Sequence, residues 1–341
     1  MCKTVGCAII VAQALSGCAC VSQGVVRVGT YNIRLAGEHV RLRDGRNYWD
    51  NRKRDLVSLV KRMDLDVFGL QEVTPEQVAY LRENLCDYSF VGEHRNADRI
   101  TGEASPVCYR KSRFRELDKG TFWLSETPDK PGSKGWNAAC PRVCSYLILQ
   151  EKSTGRRFCF ANAHTDHFSE LACEQGLLLV VRKMREIGRG MPIVFVGDHN
   201  CRETDPPARA VSKFLNNALY ASETPPSGGW RTWNGWRWRE KEVTSAEALR
   251  LTPGERNEER QHPDKTGAER GKSELLDHSF YEKCGGPRID YIYVSPEVRV
   301  LDYTTVNDAR PGVDCYPSDH FPVVATIVLP NPAETDPAGC L

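Results

Sequence analysis

The sequence predicts an α/β (α+β) fold in which two packed, mostly antiparallel sheets are flanked by helices within one domain. Three observations lead there. Short apolar segments of strand length outnumber amphipathic segments of helical period. Many of the strand-like segments follow one another directly. No internal repeat and no Gly/Ser- or Pro-rich linker divides the run. Two sheets face to face, with helices on their outer faces, bury such a pattern in one core.

Residues 25–33 form an apolar strand that ends in Thr30-Tyr31-Asn32. Residues 49–63 form an amphipathic helix, with Leu56, Leu59, Val60 and Met63 at helical spacing. A short buried strand over 66–70 follows. Thr74-Pro75-Glu76-Gln77 then starts a helix, with Thr74 as N-cap, Pro75 in the first turn and Gln77 closing a capping box. Strands are expected over 88–91, 106–110, 143–150 and 157–163, a helix over 168–187, a strand over 192–197 and a helix over 207–219. Three strands over 289–294, 298–306 and 322–329 close the chain.

These elements place the core domain at 25–330, with a linker at 18–24 and a tail at 331–341. Within it, a stretch at about 237–283 is rich in Glu, Lys and Arg and poor in large apolar residues, which predicts an exposed insertion. Residues 1–17 read as a signal peptide of lipoprotein type. Lys3 precedes an apolar run over 5–15 that is too short to span a bilayer, and Leu15-Ser16-Gly17-Cys18 resembles the bacterial lipobox. Lipidation of Cys18 implies an exported protein at the bacterial outer membrane or cell surface, touching the membrane only through that lipid. Ordinary cleavage near Ala19 would instead give a periplasmic or secreted product. Fourteen cysteines suit an exported chain, though their pairing does not follow from the sequence. The formal charge of +1 argues against tight nonspecific binding to duplex nucleic acid.

Chemistry gathers where apolar strands end. Gln71-Glu72, His164-Thr165-Asp166-His167, Asp198-His199-Asn200 and Asp319-His320 each stand at a strand boundary. Each alone has a plain alternative as a turn, a cap or an exposed loop pair. Together they resemble a divalent-metal hydrolase site, because crowded carboxylates repel one another unless a cation joins them. Glu72, Asp198, Asn200 and Asp319 offer the oxygen donors that Mg²⁺ prefers. His164 and His320 can exchange protons near neutral pH, and Asp290 can orient an imidazole. Two other metallohydrolase patterns fail on the letters. The metallo-β-lactamase motif needs a histidine where Asn162 stands, and the calcineurin-type set lacks its Asp-x-His.

Thr30-Tyr31-Asn32, Gln71-Glu72, Asn162-Ala163-His164, Gly197-Asp198-His199-Asn200, Arg288-Ile289-Asp290-Tyr291 and Ser318-Asp319-His320-Phe321-Pro322 occur in an order that resembles the endonuclease/exonuclease/phosphatase superfamily. Residues 120–128 and 132–136 resemble a bacterial branch nearest to nocturnin-type deadenylases. The resemblance spans Val25 to about Leu329. It implies a four-layer α/β sandwich and Mg²⁺-dependent cleavage of phosphate esters, with Mn²⁺ as the alternative ion. By that resemblance Glu72, Asn32 and Asp319 hold the metal, and His164 contacts phosphate. Asp198 and Asn200 orient water, while Asp290 polarises His320. Asp166 and His167 are expected to support the site from behind. His199 replaces the family's usual Phe and is a possible extra nitrogen ligand.

The substrate is then a phosphoester: nucleic acid, nucleotide or another phosphorylated molecule, cleaved by a nuclease, phosphodiesterase or phosphatase acting as a monomer. Trp230, Trp233 and Trp236, interleaved with Arg231 and Arg237, form either a substrate-stacking cluster or an aromatic hairpin packed on the domain edge. The competing reading is a catalytically idle surface lipoprotein that binds glycan or nucleic acid through this cluster.

Overall fold

A computed structural model describes residues 24–239, 242–251, 282–307 and 316–331. The predicted signal peptide with Cys18, most of the 18–24 linker, the insertion over 252–281 and the tail from 332 lie outside them. Strand β1 (Val25–Asn32) leads into helix α1 (Glu38–Asp44), α2 (Trp49–Met63), β2 (Val67–Gln71) and α3 (Pro75–Asn84). The predicted capping box opens α3: Gln77 Oε1 accepts the Thr74 main-chain N–H at 3.0 Å. Strands β3 (Tyr88–Val91), β4 (Val107–Arg110), β5 (Phe114–Trp123), β6 (Val143–Glu151) and β7 (Arg157–His164) follow without a helix. Next come α4 (Glu170–Gly188), β8 (Ile193–Asp198), α5 (Pro206–Ser212), β9 (Asn216–Asn217), α6 (Ala218–Ala221) and β10 (Ser227–Gly228). Helix α7 (Ser245–Leu251) and strands β11 (Asp290–Val294), β12 (Arg299–Thr305) and β13 (Val323–Val328) complete the described chain.

The first sheet has the order β10-β12-β13-β1-β2-β4-β3, and the second β5-β6-β7-β8-β11-β9. Most neighbours are antiparallel, but each sheet holds a central parallel pair. In the first, β1 and β2 set Asn32 beside Gln71. In the second, β7 and β8 set His164 beside Asp198, and antiparallel β11 sets Asp290 beside Asp198 on the other side. The register therefore delivers the polar strand ends of both sheets to one end of the molecule.

Three apolar clusters make four layers. Between the sheets, Val26, Val28 and Val107 meet Leu147, Phe160 and Val196. Outside the first sheet, Leu56, Leu59 and Val60 of α2 cover Phe68 and Leu70. Outside the second, Leu177, Val180 and Met184 of α4 cover Ala161 and Phe195. Each fully buried side chain of this kind contributes about 1.5–3 kcal/mol relative to exposure.

At the site end the sheets are also joined by polar groups. Asn162 donates to the carbonyls of Leu70 at 2.8 Å and Pro106 at 2.9 Å, and it accepts from Gln71 Nε2 at 2.7 Å. Gly69 makes this possible, since a Cβ there would lie 2.4 Å from the Asn162 side chain.

Three local expectations need correction. The helix expected over 207–219 stops at Ser212, and Asn217 instead caps α6 by accepting the Leu219 N–H at 3.1 Å. Strand β5 was not expected, nor was α1. The stretch from 242 to 251 is not an exposed part of the insertion. Ala248 is buried in the inter-sheet core, and buried Glu242 accepts from Arg231 Nε at 2.8 Å.

Candidate active site

The first sheet contributes Asn32, Arg34 and Glu72. Arg34 and Glu72 both have left-handed backbone, at φ 58° and 61°. Such strain at non-glycine residues is concentrated in functional sites. Glu72 is held on both oxygens: Oε1 accepts from Asn32 Nδ2 at 3.0 Å and Oε2 from the Leu35 N–H at 2.9 Å. Arg34 is gripped by Asp44, with contacts of 3.1 and 3.0 Å. From there it reaches Glu72 at 3.8 Å and Asp319 at 3.9 Å, so it stands between those two carboxylates.

The second sheet contributes the centre of the arrangement, Asp198. Its Oδ2 accepts from Asn32 Nδ2 at 2.9 Å and faces two imidazoles, His164 Nε2 at 3.5 Å and His320 Nε2 at 3.7 Å. Its Oδ1 accepts the Asn200 N–H at 3.0 Å, and Asn200 is itself left-handed at φ 49°. A Cβ at Gly197 would lie 1.9 Å from the Ala163 carbonyl oxygen, so only glycine lets β8 approach β7 this closely just before Asp198. On the far side of His320, Nδ1 is 2.9 Å from Asp290 Oδ2. Asp319 is tied to the end of β1 through Ser318, whose hydroxyl donates to the Asn32 carbonyl at 2.7 Å.

Burial and charge set the protonation states. Burial and the neighbouring Asp290 push Asp198 up to about 7. For His320, burial acts downward, but Asp290 and Asp198 outweigh it and hold the imidazolium up to about 10. Burial takes His164 well below its ordinary range, and Arg142 and Arg95 lower it further, so it is neutral. Burial and Glu72 raise Asp319, and the same two causes raise Glu103. Burial opposes ionisation of Glu72, but Arg34 and the Leu35 and Asn32 donors prevail and keep its carboxyl below the usual range.

This donor set fits a hard cation. Glu72 and Asp319 supply oxygens beside Asp198, and burial, together with the like charges of Glu72 and Asp290, raises Asp319 and Asp198, a cost that a divalent ion would relieve. Asp290 Oδ1 is buried without a hydrogen-bond partner. Asp198, Asp290 and His320 offer ligand atoms within 4.8 Å of one another, although His320 Nδ1 is already engaged by Asp290. Asn32, expected at the metal, gives its amide hydrogens to Glu72 and Asp198, and its oxygen accepts the Arg34 N–H at 2.9 Å.

Other expected residues sit further out. Asp166 accepts the N–H groups of Ala139, Phe168 and Ser169 and faces Arg142 at 3.7 Å. His167 Nδ1 lies 2.8 Å from Arg142 Nη2. This pair anchors the arginine that faces His164. His199 does not serve as a nitrogen ligand. Its ring is buried between Phe195 at 4.8 Å and Tyr293 at 5.6 Å, and burial pushes it down to about 3. It fills the aromatic place that Phe would take. Trp230 is fully buried in the inter-sheet core and cannot touch substrate. Trp236 is half-buried against Arg52, and Trp233 is exposed.

Several residues were missed. Glu103 lies 3.9 Å from His164 Nδ1 and pairs with Arg95 at 2.8 Å. Arg34, two residues past Asn32, carried a positional signal. Glu103, Arg95 and Arg142 carried none, since single charged loop residues have no periodicity.

A four-layer α/β sandwich whose two sheets join carboxylates and imidazoles at one mouth defines the class of protein. The chain belongs to the Endonuclease/Exonuclease/phosphatase family, whose family model matches residues 29–320. It is 30% identical to a Bacteroides thetaiotaomicron mannosyl-6-phosphatase, with a TM-score of 0.70 over 89% of this chain and 100% of that one. A Bacteroides vulgatus endonuclease/exonuclease/phosphatase structure is 28% identical, with a TM-score of 0.71 over 90% of this chain and 100% of that one. The human tyrosyl-DNA phosphodiesterase 2 is 24% identical over 161 residues, which are 47% of this chain and 40% of that protein.

Proposed function

We propose that the protein is a metal-dependent hydrolase of phosphate esters. The observation that carries this reading is the convergence on Asp198 Oδ2 of Asn32 from one sheet and of His164 and His320 beside it. Glu72 and Asp319 would hold Mg²⁺, or Mn²⁺ in its place. When bound, that ion neutralises phosphoryl oxygens and stabilises the leaving oxygen. Asp198, poised near neutrality, takes the proton of the attacking water, and Asn200 helps to place that water. His320, kept charged by Asp290, donates to a phosphoryl oxygen as negative charge builds. Neutral His164 donates to a second phosphoryl oxygen.

Likeness to a mannosyl-6-phosphatase supports a phosphatase, and likeness to a tyrosyl-DNA phosphodiesterase supports a phosphodiesterase or nuclease. Phosphate or ester release from one panel of sugar phosphates, nucleotides, DNA, RNA and bis-p-nitrophenyl phosphate, with Mg²⁺ and with chelator, tests the reading. Turnover of none of these would remove it.

We further propose export and lipid anchoring at Cys18. Strand β1 carries the chain from Val25 to the site at Asn32, so an anchor ahead of Val25 would attach at the end opposite the site. The mouth would then face away from the membrane, toward soluble substrate. Cys18→Ser should move the protein from the membrane to the soluble fraction, and unchanged fractionation would discredit the anchor.

A further inference from the structure

Beside His320 stands an exposed aromatic ring that the phosphoryl chemistry does not use. Trp233 pairs with His320 in an isolated antiparallel bridge. Residues directly opposite in such a pair point their side chains to the same side. Since His320 points to Asp290 and Asp198, the Trp233 indole stands on the side that faces the site.

The supporting segment is fixed by its main chain. Asn234 and Gly235 donate to the Asp319 carbonyl at 2.8 and 3.1 Å, and Phe321 donates to the Thr232 carbonyl at 2.6 Å. The Asn234 side chain donates to the Ser318 carbonyl at 3.1 Å. Gly235, at φ 56°, lets the ring lie over the chain, for a Cβ there would come within 3.0 Å of the indole.

The neighbouring indoles are committed elsewhere. Trp230 is in the core, Trp236 faces the Arg52 guanidinium at 5.6 Å, and Trp238 packs on Tyr316 at 5.4 Å. Trp233 is 38% exposed and makes no ring or cation contact among the described residues.

We propose that Trp233 is the platform for the sugar ring of a carbohydrate phosphate and makes the site selective for that class. This rests on the phosphoester-hydrolase reading. An indole offers a flat apolar face that suits the C–H face of a sugar ring, with its polar edge left wet. A nucleobase would stack as well, but charge disfavours a polynucleotide. Its successive phosphates call for surplus cations. Around this mouth Arg34, Arg95 and Arg142 already face Asp44, Glu103 and Asp166, at 3.0, 2.8 and 3.7 Å.

The test compares phosphate release from mannose 6-phosphate, from glycerol 3-phosphate (a primary phosphate ester with no ring) and from a nucleoside 5′-phosphate. Wild type, Trp233→Ala and Trp233→Phe are assayed as full chains with Mg²⁺. Wild type should favour the hexose phosphate over glycerol phosphate by about tenfold in kcat/KM, equivalent to about 1.4 kcal/mol. Trp233→Ala should erase that ratio through the hexose KM, and Trp233→Phe should restore part of it. Equal losses on hexose and glycerol phosphates, or a wild-type preference for the nucleotide, would overturn the assignment. Turnover of glycerol phosphate with no hexose preference would sink this inference alone. Cleavage of bis-p-nitrophenyl phosphate with turnover of none of these monoesters would also sink this inference alone, and turnover of no phosphoester, that diester included, would sink the hydrolase reading beneath it.

Discussion

The Asn32 side-chain amide joins Glu72 to Asp198, donating at 3.0 Å to one carboxylate and at 2.9 Å to the other. One residue thus sets the distance between a carboxylate suited to metal and the carboxylate suited to water, across the gap between the sheets. Asn32→Ala removes both donors and leaves the two carboxylates to repel. It should lower kcat/KM by about 10–100-fold, the cost typical of losing a group that orients metal ligands. It should also raise the Mg²⁺ concentration needed for half-maximal rate. Kinetics across a Mg²⁺ titration check both.

Opposed protonation states predict the pH profile. Asp198 is poised near 7, so kcat/KM should rise as pH climbs through about 7 and the carboxylate forms. His320 is held near 10, so the rate should fall above about 10 as its proton is lost. Asp290→Asn removes the negative charge that holds the proton while leaving the burial that opposes it. The His320 pKa must then fall, and the alkaline limb should move to lower pH. A pH series from 5 to 11 on both proteins measures this. An unmoved alkaline limb would contradict the pairing.

Arg52 clamps the scaffold behind the site. It is fully buried and donates to the carbonyls of Asn47 at 2.8 Å, Ile33 at 2.5 Å, Arg34 at 2.7 Å and Pro317 at 3.1 Å. It therefore ties the segment after Asn32 to the turn before Asp319. Burial lowers this guanidinium to about 10, and Trp49 and Trp236 lie against it at 5.3 and 5.6 Å. Arg52→Met leaves several buried carbonyls without donors and should cost about 3 kcal/mol or more. Arg52→Lys keeps the charge but not the fork and should recover part of that loss. Urea unfolding gives the stability, and Mg²⁺ half-saturation shows whether the metal donors shift with it.

Much of this was legible in the letters because its chemistry is local. Glu72, His164, Asp198 and His320 each follow or precede an apolar strand, and strand ends must lie at a sheet rim. The inter-sheet core followed from period-two and continuous apolar runs such as Val194–Val196. What stayed hidden depends on partners distant in sequence. Strand β5 carries Arg115, Glu116, Asp118 and Lys119 and a register shift between Glu116 and Asp118, which mask its alternation. Trp230 looked like its neighbours until the fold placed it inside. Glu103 and Arg52 matter only through contacts that no short window contains. His199 looked like a ligand because an imidazole is usually polar, but between three aromatic rings it acts as one of them.

The most direct measurement of the central claim is Mg²⁺-dependent phosphoester cleavage by wild type and Glu72→Gln, read together with the shift in thermal midpoint that Mg²⁺ causes. Glu72→Gln keeps the shape of this side chain but removes its charge and one of its two acceptor oxygens, so only one of the hydrogen bonds from Asn32 and Leu35 survives. Wild type should turn over with Mg²⁺, stop with chelator and be stabilised by the ion. Glu72→Gln should fold, lose about 100-fold or more in rate and lose the Mg²⁺-induced shift. Cleavage that survives chelation, or a Glu72→Gln protein as fast and as Mg²⁺-responsive as wild type, would contradict the account.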